Sequence, residues 1–64
     1  GLAERLEKDG GPSSDWAQLI FSYSVLGDNN AAQNTLQEAM ILFAGLESDM
    51  EILRQAAVSA GITQ

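Results

Sequence analysis

Apolar residues recur along this chain at intervals of three and four, and each such run stops at or near a glycine. Leu2, Ala3 and Leu6 fall within one helical turn of each other, so Gly1–Asp9 reads as a short amphipathic helix. Gly10, Gly11 and Pro12 break it. Ser13 or Ser14 is placed to cap a second helix, which the pattern carries to Leu26 and Gly27 closes. Asp28, Asn29 and Asn30 are turn and cap residues, and a third helix is expected from about Asn30 to about Ala44. Gly45 ends it, with Leu46 expected to fold back as the apolar contact that accompanies such a cap. Ser48-Asp49-Met50-Glu51 has the form of a capping box at the start of a fourth helix, which runs to Ala60 before Gly61 and Ile62. No run alternates with period two, so no strands are predicted. The fold class is all-α: a small antiparallel bundle of about four helices joined by short links.

The second and third helices carry complementary faces. Trp16, Leu19, Ile20 and Tyr23 share one side of the second; Ala32, Leu36, Ala39, Met40 and Phe43 share one side of the third. The small Ala32 and Ala39 let two helix axes approach to about 8–10 Å while the large residues fill the grooves. Leu2 and Leu6 are expected to turn toward Trp16 and Ile20. On the fourth helix Met50, Leu53 and Ala57 form the inner face, with Ala56 and Ala60 at its flank and Ile52 as a lone exposed residue. The expected core is thus Trp16, Leu19, Ile20, Tyr23, Ala32, Leu36, Ala39, Met40, Phe43 and Leu53.

The order Trp16-x2-Leu19-x3-Tyr23-x2-Leu26-Gly27-x4-Ala32-x3-Leu36-x2-Ala39 resembles a single tetratricopeptide repeat over Ser13 to about Leu46. Ile20, Leu36 and Ala44 depart from the family pattern, which prefers a small residue, an aromatic and a proline there, and they suggest an atypical or terminal repeat. A generic two-helix hairpin of an unrelated bundle is the alternative. The resemblance implies one domain over residues 1–64, with a repeat hairpin at 13–46 and a capping helix at 48–60. A second row on the second helix, Ala17, Phe21, Ser24 and Val25, makes it apolar on two sides. In tetratricopeptide proteins the first helix of each pair lines a peptide-holding groove. Carried over by position, Ser14, Ala17, Gln18, Phe21, Ser24 and Val25 would line it. The competing assignment makes Phe21 and Val25 ordinary core under the fourth helix.

Composition narrows the function classes. The chain has 64 residues and neither cysteine nor histidine, so disulfides, thiolate chemistry and histidine-based acid–base catalysis are unavailable. Nine acidic residues against three basic ones give a net charge of −6, which opposes binding to nucleic acid or to an anionic membrane. Gly10-Gly11 lacks the Lys-Ser/Thr of a phosphate loop, and Glu47, Asp49 and Glu51 lack the glycine and ligand spacing of a calcium loop. The expectation is a non-enzyme with no catalytic residues, no metal and no cofactor. Gly1, standing where an initiator methionine is absent, predicts a piece of a longer protein.

A narrower resemblance lies in the layout: Leu-Ala-Glu-Arg-Leu at 2–6, Asp-Trp-Ala-Gln-Leu-Ile-x-Ser-Tyr-x-Val-Leu-Gly at 15–27, Leu-Phe-Ala-Gly at 42–45 and an alanine-rich last helix. This is similar to the C-terminal periplasmic part of the CycH-type cytochrome c biogenesis proteins. It implies a periplasmic module whose parent chain is anchored in the bacterial inner membrane, without membrane contact of its own. The implied partner is a polypeptide: the C-terminal helix of apocytochrome c, or components of the haem-ligation machinery. An apolar groove would take the amphipathic face of a helix, and acidic rims would draw basic flanks. The alternatives are a structural capping fragment and a generic tetratricopeptide scaffold for another peptide.

Overall fold

Residues 1–62 are described by a computed structural model. Four helices follow in order: α1 Leu2–Asp9, α2 Ser13–Val25, α3 Asn29–Leu42 and α4 Glu47–Ser59, with no strand among the described residues. α2 is the hub. It packs against α3 as a hairpin and against α4 along its length, while α1 meets only α2 among the described helices and α3 meets α4 more narrowly.

The core forms where the apolar faces converge on α2. Trp16, Ile20, Leu36 and Leu53 are the largest fully buried side chains, and Ala32 and Ala39 are sealed between α2 and α3 as the large–small interlock requires. Leu6 brings α1 into this core, and Leu19 completes the α2 face. Tyr23, Met40 and Phe43, expected inside, are only partly buried and pack on the margin of the cluster. They lie toward the helix ends, where a small bundle has no further layer to cover them. Ala56, expected at a flank, is buried beside Ala57, and Thr35 and Ile62 are buried as well.

The helix ends correct several sequence expectations. Neither Ser13 nor Ser14 caps α2. Pro12 holds the cap position, its carbonyl accepting from the amides of Asp15 and Trp16, and Ser13 is already the first helical residue. α3 starts at Asn29, one residue early, because the Asp28 carboxylate accepts from the amide of Ala31 at 3.1 Å; it ends at Leu42. The capping box of α4 does not form. The helix begins at Glu47 with Leu46 in the cap position and no side-chain cap bond. Glu51 turns instead to Arg54 at 2.8 Å and to Gln55. Leu46 does not fold back: it stays exposed in the link, its amide bonded to the Phe43 carbonyl.

α2 and α4 end alike. Beyond α2, Gly27 at φ 83° lets its own amide reach the Ser24 carbonyl and the Asp28 amide reach that of Tyr23. Beyond α4, Gly61 at φ 77° does the same for Val58, while the Ile62 amide reaches Ala57 and buries the Ile62 side chain. The two helices are also equal in length, and moving the bounds Ser13 and Val25 forward by 34 positions gives the bounds Glu47 and Ser59. The cap residues Pro12 and Leu46, and the closing Gly27 and Gly61, keep that same separation. α4 thus matches α2 in length and in both of its ends at this spacing.

Candidate functional site

α2 and α4 run side by side in the same direction, as two hydrogen bonds establish. Near their starts the Ser13 hydroxyl donates to Asp49 Oδ1 at 2.6 Å; near their ends the Ser24 hydroxyl donates to the Ala60 carbonyl at 2.9 Å. Both join residues 36 apart in the chain. Ser13 and Ser24 lie about three turns apart, and so does the pair they reach on α4, so each helix uses one face throughout.

An open groove of about 450 Å³ runs between them, lined by Ser14, Ala17, Gln18 and Phe21 from α2 and Ile52, Gln55, Ala56 and Ser59 from α4. The more buried Ala17 and Ala56 form its floor, because side chains that small leave space above them where two helices meet. Phe21, 49 % exposed, and Ile52, 37 % exposed, are its apolar walls. Gln18 and Gln55 add side-chain amides that both donate and accept, and Ser14 and Ser59 add hydroxyls. None of the eight lining residues is charged.

The residues predicted for a groove are thus partly gathered and partly dispersed. Ser14, Ala17, Gln18 and Phe21 come together. Ser24 is partly buried and spends its hydroxyl on α4. Val25 is 70 % exposed and lies outside the lining, so it belongs neither to this groove nor to the core. The whole α4 wall was missed in the sequence. Ile52 was read as an isolated exposed residue, yet it completes the site. Under the 34-position offset Ile52 matches Gln18 and Phe21 matches Gln55, so only the packing of α4 on α2 brings Phe21 and Ile52 to one groove.

Two further hollows lie on α4, and the Glu51–Arg54 ion pair belongs to both. A second exposed apolar set, Ile41, Leu42 and Leu46, surrounds the link from α3 to α4. Among the described residues no three His, Cys, Asp or Glu side chains converge as metal ligands would, and no helix is long and apolar enough to cross a membrane. No protein-family model, curated protein or solved structure matches this chain.

Proposed function

We propose that this chain is a polypeptide-holding module and that the α2–α4 groove is its binding surface. The observation that carries this reading is the pair Phe21 and Ile52, two large apolar side chains left half open to water on facing walls of one uncharged groove. Other large apolar side chains are more exposed, but these two are gathered on opposite sides of one groove, and apolar surface gathered in a concave place marks binding sites where scattered residues do not. Helices of thirteen residues make a groove about 20 Å long, room for three to four turns of a bound helix. Such a helix would lay apolar residues at three- and four-residue spacing on Phe21 and Ile52, with polar flanks beside Gln18 and Gln55. Lacking histidine and cysteine, the chain cannot build a Ser-His-Asp or Cys-His arrangement.

The recurrence of the helical unit at 34 positions supports a tetratricopeptide-like organisation, whose period is about 34 residues. Within that organisation, the resemblance of the layout to CycH-type proteins makes the C-terminal helix of apocytochrome c the partner to try first, in the periplasm and on behalf of haem ligation. Affinity for a fluorescently labelled peptide of that helix tests the reading. Phe21→Ala and Ile52→Ala are each expected to weaken binding at least fivefold while helicity by circular dichroism persists. Equal affinities for wild type and both variants would remove the groove from the account.

A second reading, a structural cap, has one observation in its favour. The face of α2 seated on α4 carries Ser13, Ala17, Ile20 and Ser24; the corresponding face of α4 carries Glu47, Glu51, Arg54 and Val58. That face is largely polar and closed by an ion pair, as the last helix of a stack requires. On this reading no peptide binds and the two wall variants alter stability alone.

A further inference from the structure

The two serine bonds between α2 and α4 are not groove contacts, yet they stand at its two ends. Ser13 is almost wholly buried, so its hydroxyl needs an acceptor, and the Asp49 carboxylate from the first turns of α4 supplies it at 2.6 Å. Ser24 donates to Ala60, whose carbonyl lies past the last helical bonds of α4 and has no partner within its own helix. Between these bonds Ile20 and Leu53 pack in the core, while at the groove the helices meet through Ala17 and Ala56, which are too small to fill the space above them. α4 leans mainly on α2, with a narrower contact to α3, and among the described residues the two serine bonds are the only side-chain hydrogen bonds that tie α4 and its cap to another helix.

We propose that Ser13 with Asp49, and Ser24 with the Ala60 carbonyl, are positioning contacts that set the width and register of the groove, each governing its own end of α4. This rests on the groove being the binding surface. A bound helix then meets Phe21 and Ile52 at a spacing decided by residues it never touches. Losing the Ser13 bond frees the start of α4; losing the Ser24 bond frees its end.

Amide hydrogen exchange on the whole chain reads this directly. Ser13→Ala is expected to speed exchange at Leu53 and its neighbours in the first half of α4 about tenfold, with Ala57–Ala60 and the α3 amides of Thr35 and Leu36 nearly unchanged. Ser24→Ala is expected to give the reverse pattern along α4. Asp49→Asn keeps an acceptor oxygen for Ser13 and is expected to stay near wild type, whereas Asp49→Ala behaves as Ser13→Ala. A synthetic amphipathic Leu–Lys helical peptide serves as the binding probe, and both serine variants are expected to bind it at least threefold more weakly. Exchange that is unchanged, or that rises equally over α2, α3 and α4, overturns the proposal, as does unaltered affinity in a variant whose α4 exchange has changed. Should Ser13→Ala not fold, Ser24→Ala and the Asp49 pair decide by the same criteria. If wild type fails to bind any helical peptide, the binding function falls, and the end-specific exchange pattern still decides whether the serines position α4.

Discussion

Trp16 is 1 % exposed and anchors the junction of the helices, but its indole N–H is buried with no acceptor among the described residues. An unpaired buried donor costs about 1–3 kcal/mol, and that cost is set against the area the ring buries. Trp16→Phe removes the donor and keeps most of the ring, so the expected loss is below about 1.5 kcal/mol. Trp16→Ala forfeits about 3–5 kcal/mol, comparable with all that a core of this size supplies, and is expected to leave the chain unfolded. Urea unfolding followed by circular dichroism separates the two outcomes. Trp16, Ile20, Ala32, Ala39 and Leu53 were legible as core because size and helical spacing agree at each. Ser13 and Ser24 were not legible. A serine in sequence looks like a cap or a solvated residue, and only the approach of a helix 36 positions away turns it into a buried donor.

At the scale of the element, glycines marked the helix ends better than cap motifs marked the starts. A residue with positive φ is a steric requirement that few alternatives meet, whereas a cap competes with every other acceptor nearby. Asp28 won its competition and Ser48 did not, since Leu46 already leads into a helix that begins at Glu47. Asp28→Ala is therefore expected to cost about 1 kcal/mol. Ser48→Ala, which the sequence motif would rank as equally damaging, is expected to change stability by less than about 0.5 kcal/mol. Thermal unfolding of both variants beside wild type makes the comparison. Gly27→Ala forces a side chain into the left-handed region at φ 83° and is expected to cost about 1–2 kcal/mol. The four helices themselves were legible within one or two residues at most boundaries, because amphipathic spacing and glycine stops agreed.

For the whole molecule, the arrangement that matters is the parallel seating of α4 on α2. Sequence periodicity placed Ala17 and Phe21 on a second apolar face of α2 but left open what covers it. The fold answers in part: α4 covers the floor and leaves Phe21 standing beside Ile52 at the rim. Half the groove was thus readable from one helix, and the other half required the packing of two. The charge of −6 lies outside the groove lining, so salt is expected to change peptide affinity only through flanking basic residues. A neutral amphipathic helix should bind equally well at low and at high ionic strength, to within about twofold, by fluorescence anisotropy. The central claim, that the α2–α4 groove holds a helical polypeptide, is tested most directly by amide chemical-shift mapping of the labelled chain during titration with the apocytochrome c C-terminal helix peptide. Shifts are expected to concentrate at Ala17, Gln18, Phe21, Ile52 and Ala56. An absence of shifts at millimolar peptide, or shifts centred on Ile41, Leu42 and Leu46 instead, would contradict it.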